Sequence, residues 1–261
     1  MVRSSKSMNG QYSQPSNPCQ PKWRATVDSL CGRASRVVWP FRCVLCQRLA
    51  RGSRDLCELC AQDLVLNADC CRQCAQPLGE GSAREQLCGA CVRAPPRFDC
   101  SFVPYRYAYP LDRMIQRLKY GNELSVGRVF AHCFAEQLAV HHVALPEVLI
   151  PVPLGARRFR GRGFNQAIEL ARHLSKLTGV EVRTDLVVRV RETAEQAALP
   201  RDERRKNVRG AFALLQPLPD AHVAILDDVV TTGSTVNEIA KLLRQAGAEQ
   251  IQVWAIARAG K

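Results

Sequence analysis

The stretch from Val223 to Thr235, Val-Ala-Ile-Leu-Asp-Asp-Val-Val-Thr-Thr-Gly-Ser-Thr, constrains this chain more than any other. Val223 to Leu226 is an unbroken aliphatic run, the pattern of a strand covered on both faces in a parallel sheet. Asp227 and Asp228 stand where that strand is expected to end, and Thr231, Thr232, Gly233, Ser234 and Thr235 make a small, hydroxyl-rich turn. Val236, Ile239, Ala240 and Leu243 then recur at helical spacing, with Gly247 placed to end the helix. A strand, a turn and a helix in this order aim free backbone N–H groups at one point beyond the sheet's carboxyl edge, and that point suits a phosphate. Gly233 lets the backbone come close and the hydroxyls add donors. The two carboxylates can accept from sugar hydroxyls or face a hydrated Mg²⁺, so the stretch suits a sugar phosphate better than a bare anion. The plainer alternative is an ordinary connection with acidic surface residues, and the surrounding pattern argues against it.

Thirteen cysteines are the second constraint, and eight of them fall into four Cys-x-x-Cys pairs between Phe41 and Phe98. The pairs are Cys43 with Cys46, Cys57 with Cys60, Cys71 with Cys74, and Cys88 with Cys91. A two-residue spacer lets both thiolates of a knuckle reach one tetrahedral Zn²⁺, and a second knuckle closes the site. The simplest assignment places Cys43, Cys46, Cys57 and Cys60 on one zinc and Cys71, Cys74, Cys88 and Cys91 on another; a crossed assignment satisfies the spacing too. A thioredoxin-like redox pair needs one Cys-x-x-Cys in a βαβ setting, and a hydrolytic zinc keeps an open position, so four pairs favour closed structural sites. The segment is poor in large apolar residues, and metal ligation would substitute for a hydrophobic core. Cys70 and Cys100 are spare thiols, and Cys19 and Cys31 are bystanders.

At 261 residues and 46% hydrophobic content there is room for one α/β domain and something smaller. The formal charge of +13 implies acidic partners, polyphosphate or nucleic acid, without choosing between them. No run approaches the ~18 apolar residues of a membrane span, and the first 40 residues lack the apolar segment of a secretory signal; together with the thiols this predicts a cytoplasmic protein.

Three parts are expected. Residues 1–40 are rich in Ser, Gln, Asn and Pro and form a mobile extension; residues 41–98 form the double zinc ribbon; residues 99–261 form the α/β domain, with Pro95-Pro96 near the boundary. In the last part, Ser101 to Tyr109 alternates as a strand, and Leu111 to Tyr120 and Val126 to Val140 have helical periodicity around the breaker Gly121-Asn122. Lys119 ends the first helix, where it can reach a phosphate or simply complement the helix C-terminus. Val148 to Val152, Val187 to Val190, Val208 to Leu215 and Ile251 to Ala257 read as further strands. The segment Arg191 to Arg201 is polar and suits a lid, and Asp202 to Asn207 reads as a basic turn or short helix.

Between Val152 and the helix Gln166 to Leu177 lies Pro153-Leu154-Gly155-Ala156-Arg157-Arg158-Phe159-Arg160-Gly161-Arg162-Gly163-Phe164-Asn165. Arg157, Arg158, Arg160 and Arg162, interleaved with glycines and free of acids, are predicted to form a loop for concentrated negative charge such as pyrophosphate. A nucleic-acid phosphate clamp would use the same residues. Asn165 is placed to cap the following helix.

The Asp-Asp-Val-Val-Thr-Thr-Gly-Ser-Thr stretch resembles the phosphoribosyl-pyrophosphate (PRPP) signature of type I phosphoribosyltransferases. Taken with the cysteine knuckles, Arg-Gly-Phe-Asn-Gln at 162–166, Gln196-Ala197-Ala198-Leu199 and Arg204-Arg205-Lys206-Asn207-Val208, the sequence from Cys43 onward resembles the ComF family, including its GntX-like members. That resemblance implies a phosphoribosyltransferase fold, a parallel sheet flanked by helices, behind an N-terminal zinc ribbon. It also implies a link to natural transformation and the use of imported DNA. Two functions are then expected. In the first, an Mg²⁺-dependent transferase, Thr231 to Thr235 hold the 5-phosphate of PRPP, with Val229 and Val230 in the same binding loop. Asp227 and Asp228 hold the ribose hydroxyls and position Mg²⁺, Arg157 to Arg162 hold the departing pyrophosphate, and a nitrogen acceptor attacks C1. In the second, the basic loops and ribbon bind single-stranded DNA or a helicase-like competence protein, although aromatics at 6% give few stacking platforms.

Overall fold

The computed structural model describes residues 42–50, 54–79, 81, 86–121, 123–192, 206–218 and 221–260. The extension at 1–40 with Cys19 and Cys31, and nearly all of the lid and basic turn read at 191–207, lie outside the described residues. Residues 41–261 make one compact unit.

Short helices α1 (Glu58–Gln62) and α2 (Gly89–Arg93) begin on the second knuckle of each cysteine group. Then follow β1 (Cys100–Phe102), β2 (Tyr105–Arg106), α3 (Leu111–Tyr120), α4 (Leu124–Val140), β3 (Val148–Pro151), α5 (Ala156–Arg162) and α6 (Gln166–Thr178). The described chain closes with β4 (Glu181–Val182), β5 (Val187–Arg189), β6 (Phe212–Leu214), β7 (His222–Val230), α7 (Ser234–Gln245) and β8 (Gln250–Arg258). The main sheet is parallel throughout, in the order β1-β8-β7-β3-β4, with β2 continuing along the same edge of β8 as β1.

The aliphatic runs of β3, β7 and β8 are buried on both faces because helices cover both. Alternate residues divide between two cores, as the two-residue strand period requires. Leu149, Ala224, Leu226, Trp254 and Ile256 pack with Met114 and Ile115 of α3, Phe130 and Phe134 of α4, and Leu170 and Leu174 of α6. Val148, Ile150, Val223, Ile225, Val253 and Ala255 pack with Val236, Ile239, Ala240 and Leu243 of α7 and with Val187 and Phe212.

The cysteine-rich segment shares these cores. Cys43, Val44, Leu56 and Leu64 join the first, and Ala75 and Phe98 the second, so the two ribbons straddle the sheet at the β1–β2 edge. They also hydrogen-bond along that edge: Asn67 N–H donates to Pro104 O at 2.8 Å, Arg106 N–H to Val65 O at 2.9 Å and Ser101 N–H to Arg72 O at 3.2 Å. Buried Asn67 donates its side-chain amide to Ala75 O at 2.9 Å and Val103 O at 3.2 Å, tying the two ribbons to the strand break.

Four sequence expectations change in detail. The strand expected over Ser101 to Tyr109 breaks between β1 and β2, where Pro104 has no N–H to continue the ladder. The strands expected at Val187 to Val190 and Val208 to Leu215 shorten to β5 and β6, an antiparallel pair outside the main sheet. The arginine-rich segment is a short helix, α5, instead of a loop: alanine and arginine are good helix formers, and Gly163 ends it at φ +77°. Finally, β7 runs on through Asp227 and Asp228 to Val230, because β8 supplies hydrogen-bonding partners as far as Arg258.

Candidate functional site

The last rung between β3 and β7 pairs Pro151 with Leu226, and Val152 N–H closes it on Leu226 O at 2.8 Å. Asp227 and Asp228 therefore lie beyond the end of β3 while β8 still holds their backbone. This puts two carboxylates at the carboxyl edge of a parallel sheet, where ligands of open α/β folds bind. Each carboxylate also accepts from the amide that follows it, Asp228 N–H to Asp227 Oδ1 and Val229 N–H to Asp228 Oδ1, both at 2.8 Å.

Lys119, at the end of α3, brings its Nζ to 2.6 Å from Asp228 Oδ2. Burial works against ionisation of both aspartates, and the balance differs between them. At Asp228 the Lys119 ammonium outweighs burial and holds the carboxyl below its ordinary range. At Asp227 burial, reinforced by the charge of Asp228, pushes the carboxyl up to about 8. The two adjacent carboxyls thus differ in acidity, Asp228 made the stronger acid by Lys119 and Asp227 the weaker by burial and the charge of Asp228. Burial opposes the charge on Lys119 as well, and the two aspartates outweigh it and raise its pKa.

Past Val230 the chain turns through the hydroxyl loop. Gly233 adopts φ +74°, a left-handed conformation that costs a side-chain-bearing residue energy, and stands at the start of α7. Thr232 Oγ1 and Ser234 Oγ are 2.8 Å apart, and Ser234 N–H donates to Thr232 Oγ1 at 3.3 Å. Val229 and Thr231 to Thr235 are partly exposed, whereas Val230 is buried in the second core. With the α7 amides, Thr231 to Thr235 form a cradle of donors about one strand end.

The four arginines of α5 divide. Arg157 and Arg160 are exposed; Arg158 and Arg162 are half-buried. Arg162 lies within electrostatic reach of Lys119, stacks over the ring of Tyr120 at 5.1 Å, and donates to Gln166 Oε1 at 3.2 Å. Arg158 lies close to Arg189 of β5, whose pKa is lowered by burial and then by Arg158, with the charge of Asp227 acting in the other direction. Lys119, Asp227, Asp228 and Arg162 therefore come together, with Arg158 adjoining them through Arg189, while Arg157 and Arg160 face solvent. An anion is already present here: Glu192 Oε1 accepts from Arg157 N–H at 2.9 Å, and that bond, with Arg189 adding, holds its carboxylate below the ordinary range. Gly155 matters for this contact, since a Cβ there would stand 2.7 Å from Glu192 Oε2.

Asn165 fixes the far side. Its Oδ1 accepts from Ala167 N–H at 2.9 Å, capping α6, and its Nδ2 donates to Val152 O at 3.0 Å at the end of β3. Sequence reasoning did not find Arg189, Glu192 or Tyr120. Arg189 lies in an alternating Val-Val-Arg-Val-Arg run, where period alone does not show which arginine turns toward a site.

The cysteines resolve into the simpler assignment: Cys43, Cys46, Cys57 and Cys60 form one group, and Cys71, Cys74, Cys88 and Cys91 the other, all ligand atoms of a group within 4.8 Å of one another. Zn–S bonds of about 2.3 Å in a tetrahedron require sulfurs about 3.8 Å apart. Cys46 and Cys57 are 3.7 Å apart and Cys74 and Cys88 3.6 Å, so the groups fit structural zinc. In each group hydrogen bonds pull one thiol below the ordinary range, while burial and neighbouring thiols push another above it. Burial resists ionisation of Cys43, but the backbone amides of Cys46, Cys57 and Leu45 outweigh it and bring it down to about 6. Cys88 comes down to about 7 in the same way, against burial and through the Cys91 amide and the neighbouring thiols.

The family model of a double zinc ribbon domain matches residues 34–92, and that of a phosphoribosyl transferase domain matches residues 160–261. Competence protein F of Haemophilus influenzae is 37% identical over 227 residues, covering 84% of this chain and 97% of its own length. The DNA utilization protein YhgH of Escherichia coli K12 is 35% identical over 231 residues, with the same coverage. Competence protein ComFC of Streptococcus pneumoniae is 27% identical over 154 residues, 59% of this chain and 66% of that protein. Among solved structures, the glutamine PRPP amidotransferase of B. subtilis is 21% identical, covers 49% of this chain and 26% of that one, and superposes with a TM-score of 0.33. The similarity to competence protein F over 84% of this chain, with a ribbon model followed by a transferase model, shows that the protein belongs to the ComF family, a phosphoribosyltransferase fold behind an N-terminal double zinc ribbon.

Proposed function

We propose that the protein binds PRPP with Mg²⁺ and transfers its phosphoribosyl group to a nitrogen acceptor with release of pyrophosphate. The observation that carries this reading is the pairing of a lysine-held carboxylate, Asp228, with an adjacent carboxyl, Asp227, immediately before a cradle of hydroxyls and amides. A bare phosphate site has no use for carboxylates, whereas a ribose 5-phosphate presents hydroxyls to them and its phosphate to the cradle.

On this reading Thr231 to Thr235 take the 5-phosphate, Val229 and Val230 shape the strand end below it, and Asp227 and Asp228 accept from the ribose hydroxyls. Mg²⁺ would draw charge out of the pyrophosphate, and the Asp228 carboxylate faces the positive charge that grows on the ring as the C1–O bond breaks. Arg158, Arg162 and Lys119 supply the fixed positive charge for the leaving group, in competition with Glu192; Arg157 and Arg160 would join them only by turning in from solvent. The names of the relatives favour a place in competence or DNA utilization, and the thiol-rich zinc sites favour a reducing, cytoplasmic setting.

Calorimetric titration of Mg²⁺ and PRPP into zinc-loaded protein, beside the variant carrying Asp227→Asn and Asp228→Asn, tests the binding step. Binding by the parent alone supports the reading, and pyrophosphate release across a panel of nitrogen acceptors then tests transfer. No binding by either folded protein removes it. In its place would stand the DNA- or partner-binding module that the +13 charge and the relatives' names also favour, with oligonucleotide affinity that falls as salt rises.

A further inference from the structure

Arg258, the last residue of β8, is 4% exposed and belongs to neither the proposed ligand site nor a metal site, yet it touches both. Its partner across the strands is Val230, the last residue of β7. On one side Nη1 donates to Val230 O at 3.1 Å and to Thr231 O, the carbonyls from which the hydroxyl loop departs. On the other, Nε donates to Cys74 O at 3.0 Å and Nη2 to Gln76 Oε1 at 3.0 Å.

The knuckle that Arg258 grips is a closed turn. Ala75 N–H donates to Cys71 O and Cys71 N–H to Gln76 O, both at 2.8 Å, and Ala75 sits at φ +54°. A non-glycine residue adopts that conformation uncommonly; Asn67 Nδ2 holds Ala75 O at 2.9 Å, and a metal drawing Cys71 and Cys74 onto one centre would tighten the turn further. The positions of Cys74 O and Gln76 therefore depend on the second cysteine group, and the guanidinium is a rigid plane that carries this geometry across to Thr231.

We propose that Arg258 is a positioning residue through which the second cysteine cluster, Cys71, Cys74, Cys88 and Cys91, sets the hydroxyl loop Thr231 to Thr235. Metal in that cluster then favours the binding-ready loop, and by reciprocity a ligand in the loop slows metal loss. The ligand half of this statement rests on the phosphoribosyl reading above; the loop half does not.

Amide hydrogen exchange over residues 229–236 of the full zinc-loaded chain reads the loop half without any ligand. Cys88→Ser, which weakens the second cluster, should speed exchange there by about tenfold, whereas Cys46→Ser, on the first, should speed it no more than it speeds exchange across the rest of the sheet. Arg258→Lys keeps the charge but not the planar fork; it should show the faster exchange already, and adding Cys88→Ser should change nothing more. If Arg258→Lys does not fold, Gln76→Ala opens one end of the bridge and should show the same acceleration. Unchanged exchange in Cys88→Ser, or accelerations that multiply in the double variant, would overturn the proposal. Zinc release to a chelating dye, with and without Mg²⁺ and PRPP, reads the ligand half, and protection should vanish in Arg258→Lys. A parent that binds no PRPP defeats the phosphoribosyl reading and leaves the exchange result to decide the role of Arg258.

Discussion

At Asp227 burial and a neighbouring negative charge raise the carboxyl to about 8, whereas one residue later Lys119 outweighs the same burial for Asp228. The consequences for stability have opposite signs. Asp228 is ionised more easily in the folded state than in the unfolded chain, so its contribution is present above the ordinary carboxyl range and lost in acid. Asp227 keeps its proton on folding, so its contribution is full below the ordinary range and drains away as pH climbs to about 8. Asp227→Asn keeps an acceptor for Asp228 N–H but cannot ionise. It should leave the melting temperature of the ligand-free protein nearly unchanged at acid pH and raise it at pH 8, by at least about 3 °C, the shift that ~1 kcal/mol produces in a chain of this size. Calorimetric melting across that range checks it, and a constant difference at all pH values would contradict the assignment. The pair itself was legible in the sequence, since adjacent carboxylates after an aliphatic run stand out. Their division of labour was not, because it depends on a lysine more than a hundred residues earlier in the chain.

Elements explain which readings shifted. An aliphatic run announces a strand but not its end, because the end depends on the neighbour: β7 continues past its two aspartates since β8 accompanies it to Arg258. The arginine-rich segment looked like a loop because three glycines punctuate it. Only Gly163, with positive φ, breaks the helix, while Gly161 lies within it and Gly155 precedes it. Helix α6 was legible from its period and from Asn165, whose second role was not: besides capping the helix it clamps the end of β3. Asn165→Ala should cost the cap, about 1–2 kcal/mol, and leave Val152 O without its buried donor, for roughly 2–3 kcal/mol in all. Asn165→Asp restores the cap but turns an acceptor toward that carbonyl, so in chemical denaturation it should recover only part of the loss. Full recovery would show that the clamp contributes nothing.

For the whole molecule, the ribbon was expected to substitute metal for a core of its own, and the structure goes further. Cys43 and Cys71 are fully buried, and ribbon residues on either side of the sheet belong to the two cores of the transferase fold. Removing zinc therefore withdraws support from both cores together. Chelation should lower the melting temperature by about 10 °C or more in one transition covering ribbon and sheet, given the large share of folding energy that structural zinc supplies. Two transitions, with the sheet melting as before, would show that the shared packing is slack.

The ribbon's hydrogen bonds to Pro104, Arg106 and Ser101 have another consequence. They occupy the outward-facing row of the β1–β2 edge, which would otherwise offer itself to any extended chain nearby. Zinc supply is then a matter of solubility as well as of folding. In a metal-starved cell chains would then adhere to one another through that unguarded margin.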